Sequence, residues 1–278
     1  MFLPLKDENR PGALVPVVTW SLMAANVFVF ILQVQNPEIT YKFSMVPHEI
    51  LTGEDITQPV DLADGTPGLG RLGNPQGIII PHAPTPISVY ITLLTSMFLH
   101  GSLVHLLGNL LFLWIFGDNL EDALGRIRYL VFYILSGLIA DVAHILVSQD
   151  PPARYIPTLG ASGAISGVLG GYIYLFPRSQ VTGILLRVLV TIPAAYALGI
   201  WFIFQLIMAI FDQGGGVAYM AHIGGFVGGL LLAILMGVRP DFAGTYSSFY
   251  SVTPGRHSWS GRLPSRFPNR YSQSGFGR

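Results

Sequence analysis

"TLGASGAISGVLGG", Thr158 to Gly171, decides how this chain is read. Its Gly, Ala and Ser content is that of a flexible linker, yet it lies between long apolar runs and continues directly into "YIYLF". Small polar residues in a stretch that otherwise seeks hydrocarbon need a physical reason. Two are open: close packing of helices, and chemistry at one of the serines, Ser162 or Ser166.

The composition around this stretch is that of a membrane protein. Of 278 residues, 11% are charged and 51% hydrophobic, where a soluble domain carries about 25% charged residues. The deficit runs along most of the chain, which fits several membrane spans better than one anchor. The formal net charge is zero, and nothing reads as a nucleic-acid surface. Without cysteine the chain has no disulfide, no thiolate nucleophile and no cysteine metal site.

A helix needs about 20 apolar residues to cross a bilayer. Six candidate spans follow, near residues 12–34, 90–117, 127–147, 159–176, 183–211 and 218–238. The first is read as a retained span, because its apolar core exceeds the roughly 7–15 residues of a signal peptide. The flank "VQNPEITYK" also offers no small-residue cleavage site. The fifth is long enough for a tilted or bent helix, with Pro193 supporting a kink. The expected fold is therefore an all-α membrane protein, a bundle of six transmembrane helices. Lys6, Arg10, Arg126, Arg128, Arg178, Arg187, Arg239 and the five arginines of the tail fall on one side, against Lys42, Arg71 and Arg154 on the other. That excess places both termini in the cytoplasm. Residues 1–11 form a cytoplasmic N-terminus, 12–238 the membrane domain and 239–278 a tail whose Ser, Gly, Arg and Pro content predicts disorder. The loop over about 35–89 is long, and "FSMVPHEILTG" within it predicts a short helix with Pro47 near its start.

Polar residues inside spans are costly and are functional candidates by default. The second span holds His105 and Asn109, with His100 just before them. The third holds Asp141 and His144, the fourth Ser162 and Ser166, the sixth His222. His105 and Asn109 are four apart and share a helix face, where hydrogen bonding between helices is the plain alternative. Asp141 and His144 read best as a polar patch at the outer end of the third span.

Ser162 sits in "GASG" where a span begins. Helix N-termini carry unpaired N–H groups and favour negative charge, as does the oxyanion of acyl transfer. Gly160 and Gly163 leave room for a substrate backbone. Gly163, Gly167 and Gly171 also recur every four residues, which suits a packing seam. In the sixth span, "AHIGGFVGG" has Gly224, Gly225, Gly228 and Gly229 behind His222. Two glycine-rich helices can approach closely, bringing the His222 imidazole towards Ser162 as a general base and then a general acid.

These residues resemble the rhomboid family of intramembrane serine proteases. The shared motifs are "HGSLVHLLGN" (His100 to Asn109), "GASG" (Gly160 to Gly163), "AHIGG" (Ala221 to Gly225) and "EDALGR" from Glu121, in order and on the expected spans. The resemblance covers about residues 12–238. It implies that Ser162 is the nucleophile and His222 its base, working as a dyad. It implies that His105, Asn109 and the N–H groups of Ser162 and Ala161 stabilise the oxyanion, and that His100, Gly160, Gly163 and Glu121 support the structure. The implied activity is endopeptidase cleavage of the transmembrane segments of other proteins. The partners are those substrates and the lipid bilayer, and no cofactor or metal is implied. The implied setting is an integral multi-pass protein of a bacterial-type plasma membrane.

Two positions depart from the family pattern. Four residues after the serine the family often has an aromatic that stacks on the histidine, and here it is Ser166. The Trp–Arg pair of the family's first outer loop is not evident. A rhomboid-like protein that binds membrane clients without cutting them is the alternative function, and it predicts loss of the serine or histidine. A metal site from His100, His105 and His222 lacks the HExxH arrangement. A transporter would show repeated broken helices.

Overall fold

The computed structural model describes residues 2–8, 13–61, 66–67, 79–211 and 217–240. The tail from 241 onward, expected to be disordered, lies outside the described residues, as does part of the first loop. In chain order, β1 (Phe2–Asp7) precedes α1 (Val17–Gln35), α2 (Glu38–Phe43) and α3 (Pro47–Thr52). The short strands β2 (Val60–Asp61), β3 (Thr66–Pro67) and β4 (Ile79–Ile80) lead to α4 (Thr92–Thr95), α5 (Leu103–Leu124), α6 (Arg126–Val147) and α7 (Ser162–Leu175). Then come β5 (Gln180–Leu185), β6 (Val188–Pro193), α8 (Ala194–Phe211) and α9 (Tyr219–Leu235).

The protein is mostly helical, and α1, α5, α6 and α8 are long and apolar enough to cross a membrane. The helices α7, with 14 residues, and α9, with 17, are shorter. The outer faces of the four long helices suit lipid: Phe28, Trp114, Ile127, Leu146 and Phe211 are all exposed. The second expected span divides. A short helical segment over residues 89–98 ends before Leu99, and α5 starts afresh where the Ser102 hydroxyl accepts from the His105 N–H at 3.1 Å. That is an N-cap, which satisfies one of the helix's free donors.

The all-α expectation is corrected by two small three-stranded sheets, ordered β1-β5-β6 and β3-β2-β4. Residues 180–193, largely assigned to the fifth span, form an antiparallel hairpin with Leu185 opposite Val188. Leu186 and Arg187 turn it at φ 48° and 72°, the geometry of a two-residue hairpin turn. Its Val, Thr and Ile content favours strands, and β1 adds a third strand from a distance that local sequence hides. Pro193 ends β6 just before α8 and kinks no helix. The helix expected in "FSMVPHEILTG" is α3, with Pro47 in its first turn and Gly53 closing it at φ 76°, a left-handed position that suits glycine.

The centre of the bundle is α7, whose residues Gly163 to Tyr172 are all buried. Two pairs of glycines on α9 divide between neighbours. A side chain at Gly225 or Gly229 would collide with the backbone carbonyls of Gly163 and Gly167 on α7, and one at Gly224 or Gly228 with Ala143 and Ile139 on α6. On α7, Gly170 lies against the Phe226 carbonyl, while Gly171 faces Phe132 and Leu120 rather than α9. At the opposite end from Ser162, fully buried Glu121 accepts from the N–H groups of Val18 and Thr19 at 3.0 and 2.8 Å, and from the Thr19 hydroxyl at 2.8 Å. A carboxylate there meets the positive end of α1. Also at that end, Asp7 of β1 accepts from the Tyr172 hydroxyl at 2.6 Å and the Asn119 amide at 2.7 Å.

The seam makes a graded prediction. Gly229→Ala is expected to destabilise the detergent-solubilised protein by about 1–3 kcal/mol through overpacking. Gly199→Ala, with no atom within 4 Å, is expected to be neutral or stabilising by roughly 0.5–1 kcal/mol. Equal thermal midpoints for the two variants would contradict the seam.

Burial raises the Asp7 carboxyl from 3.8 to about 7, against the hydrogen bonds from Tyr172 and Asn119 that favour its charge. The folded state therefore binds the proton more tightly than the unfolded chain between those values. Docking of β1 weakens as pH rises through that window. Asp7→Asn, which cannot ionise and keeps an acceptor oxygen, is expected to raise the thermal midpoint much more at pH 8 than at pH 4.5. The same gain at both pH values would refute this.

Candidate active site

Ser162 is the first residue of α7, preceded by buried Ala161 as N-cap. The approach to it is fixed by backbone pairing. Thr158 exchanges both hydrogen bonds with Met45 of the first loop, at 2.7 and 3.1 Å, and the Gly160 N–H donates to the Ser96 carbonyl at 2.9 Å. The Thr158 hydroxyl also meets His144 Nε2 at 3.0 Å, so His144 anchors this loop, as a polar patch would. Gly160 has φ 129°, and a methyl group there would lie 2.8 Å from His105 Cε1. Both facts require glycine.

The seam between α7 and α9 sets His222 beside the serine, with Nε2 2.8 Å from Ser162 Oγ. The other ring nitrogen, Nδ1, lies 2.8 Å from Oε1 of Gln205 on α8. An amide oxygen only accepts, so in the tautomer with hydrogen on Nδ1 this contact is satisfied and Nε2 is free to accept from the serine. The ring lies between aromatics, 6.1 Å from Trp201 of α8 and 6.4 Å from Tyr219 of α9, centre to centre. Buried Ser166 makes no such contact. Its hydroxyl donates to the Ser162 carbonyl at 2.6 Å.

On α5, the His105 ring borders Gly160 and the His100 ring meets it edge-on at 5.2 Å. The His100 backbone is bracketed by Gln33 of α1, its N–H donating to Oε1 at 2.9 Å and its carbonyl accepting from Nε2 at 3.3 Å. One turn beyond His105, Asn109 is buried with its Nδ2 donor unpaired. A cavity of about 20 Å³, room for one water, lies between Ser162, Gly160, Ser96 and Asp141. The Asp141 Oδ2 is buried without a partner.

Several of the site residues expected from the sequence come together: Ser162, His222, His105, Ala161, His100 and Gly160, with Asn109 one turn along α5 from His105. The other two were expected as structural support. Gly163 is buried against Ala140 of α6 and lines the cavity beside Ser162. Glu121 holds the start of α1, sixteen residues along α5 from His105 and so roughly 24 Å away. No three His, Asp or Glu side chains converge as a metal site among the described residues. Gln205 and Gln33 were missed. The signal was an amide within an apolar run, "WFIFQLIMAIF" in the case of Gln205.

A helical membrane bundle with a serine at a helix start, hydrogen-bonded to a histidine on the next helix but one, defines the class of protein. The Rhomboid domain family matches residues 88–239, and the chain belongs to this family of integral membrane proteins. It is 31% identical over 153 residues to "Rhomboid protease GluP" of Bacillus subtilis (strain 168), covering 52% of this chain and 26% of that protein. It is 32% identical over 147 residues to "Rhomboid protein 1, mitochondrial" of Saccharomyces cerevisiae, covering 51% and 40%. It is 30% identical over 154 residues to "RHOMBOID-like protein 7" of Arabidopsis thaliana, covering 54% and 44%. The chain thus spans less than half the length of these three relatives.

Gly160→Ala tests the loop. The residue is expected to force φ out of the left-handed region and push His105 away. Labelling of Ser162 by a fluorophosphonate should fall at least tenfold with the fold retained. Labelling at the unaltered rate would show that the contact is dispensable.

Proposed function

We propose that this protein is an intramembrane serine endopeptidase in which Ser162 attacks the substrate carbonyl and His222 carries the proton. The observation that carries the reading is the 2.8 Å contact between His222 Nε2 and Ser162 Oγ at a helix N-terminus. The serine's Oγ bonds to the carbonyl carbon as its proton passes to Nε2. The C–N bond then breaks and the same proton leaves on the amine. Water, deprotonated by His222, releases the acyl group and regenerates the serine.

The oxyanion falls to the Ser162 and Ala161 N–H groups, His105 and Asn109. A buried amide donor without a partner is costly, and the unpaired Asn109 Nδ2 is suited to an oxygen that arrives only during reaction. His100 and Gly160 hold His105 in place. The functional unit is residues 12–238, with six helices counted as crossing and both termini cytoplasmic. With 14 residues, α7 is about 21 Å long against a hydrocarbon core of about 30 Å. Ser162 therefore lies below the outer surface, reached through the polar loops around it. The substrates are the transmembrane segments of other proteins, opened near small and helix-weakening residues. The bacterial plasma membrane is the proposed site, although one relative is named as mitochondrial.

Full-length protein in detergent should cleave a model transmembrane substrate and take up a fluorophosphonate, with or without chelator. Ser162→Ala and His222→Ala should abolish both. Asn109→Ala should slow cleavage by roughly 10²–10³-fold, as loss of an oxyanion donor does. Cleavage that persists in Ser162→Ala would overturn the assignment.

A further inference from the structure

The helix α8 buries few residues: Ala194, Ala197 and Leu198 in its first turns, and Gln205 further on. The first three are small or apolar and need no explanation. Gln205 is 4% exposed. A buried amide in such a helix is unfavourable unless it is hydrogen-bonded, and its oxygen lies 2.8 Å from His222 Nδ1. On the other side of the same ring, Nε2 faces Ser162.

We propose that Gln205 is a positioning residue for His222, so that the reactive unit is a Ser–His–Gln chain drawn from α7, α9 and α8. This rests on the proteolytic reading above. The amide oxygen can only accept. It therefore selects the ring tautomer with hydrogen on Nδ1 and leaves the Nε2 lone pair aimed at Ser162. It also fixes the ring plane. When the serine proton moves to Nε2, the imidazolium keeps its Nδ1–H bond to the amide oxygen, and that bond strengthens on the charged ring. A neutral amide does this without adding a second buried charge. Trp201, one turn earlier on α8, lies 6.1 Å from the ring and limits its tilt. The other titratable groups whose fields reach His222 are His105 and His144. Neither is changed by substitutions at Gln205.

The test uses full-length protein in detergent and the second-order rate of fluorophosphonate labelling at Ser162 between pH 5 and 9. In that reaction the Oγ–P bond forms and fluoride leaves, with the serine proton taken by His222. Gln205→Leu, similar in size but without an acceptor, is expected to slow labelling at least tenfold and move the acid limb to lower pH. Gln205→Glu, which keeps the acceptor, is expected to label faster than the Leu variant and move the acid limb to higher pH. A purely packing role would depress labelling in Gln205→Leu without moving its acid limb, since only the Glu variant adds a charge that shifts the limb on its own. That outcome, or wild-type labelling in Gln205→Leu, overturns the proposal. Ring ¹⁵N spectra of histidine-labelled protein, with His222→Ala to identify the signal, read the tautomer whether or not Ser162 reacts. A single Nδ1–H tautomer in the wild type and a mixture in Gln205→Leu are expected. The same tautomer in both refutes the positioning role. Absence of Ser162 labelling in the wild type would instead count against the proteolytic reading.

Discussion

The close approach of α7 and α9 is the constraint on which the rest of the structure depends. The backbone carbonyls of Gly163 and Gly167 occupy the space that side chains at Gly225 and Gly229 would fill. In hydrocarbon, helices gain little from apolar contact with one another, because lipid offers the same contact. Backbone approach through small residues is what holds them. The same approach brings Nε2 of His222 within 2.8 Å of Ser162. The site is thus a by-product of the seam: where these two helices meet so closely, the two side chains near their ends must meet as well.

A short helix deep in a bundle leaves its leading loop at membrane depth, where backbone groups must be satisfied within the protein. The first loop and the segment before α5 supply the partners. Met45 pairs with Thr158 on both sides, and Ser96 receives the Gly160 N–H. The Phe43 carbonyl in turn accepts from Thr95 at 2.8 Å, so the loop is stitched to the segment before α5. The other end is held by charge rather than pairing, with Glu121 caging the first N–H groups of α1. These two anchorages hold α1 and the first loop against the part of the chain that bears the site.

How much of this the sequence disclosed depends on how local each signal was. Ser162, His222, His105 and Asn109 stood out as candidates because polar residues in apolar spans are few and their helical spacing is fixed. The hairpin over residues 180–193 was not. Its turn, Leu186–Arg187, has none of the Asn or Gly residues that announce two positive φ values, and its strands are apolar enough to pass as a span. Its third strand comes from β1, nearly 180 residues earlier. The break before α5 was signalled by "HGS" but masked by apolar residues on both sides. Ser166 looked like a weakness in the support of His222. The structure moves that support to α8, where Trp201 and Gln205 stand.

The choice of partner for His222 follows from its surroundings. In water-soluble enzymes a carboxylate often holds the histidine, and the ion pair formed during reaction repays its burial. Within a membrane bundle a lone carboxylate would be expensive before any substrate arrived. An amide holds the same proton in the same place at a much smaller desolvation cost. It stabilises the imidazolium less than a carboxylate would, so more of the rate must come from the oxyanion donors. That fits the number of donors proposed for the oxyanion: the helix N-terminus, His105 and Asn109. The balance between a neutral positioning group and several oxyanion donors is what low dielectric would demand of the serine hydrolase proposed for this bundle.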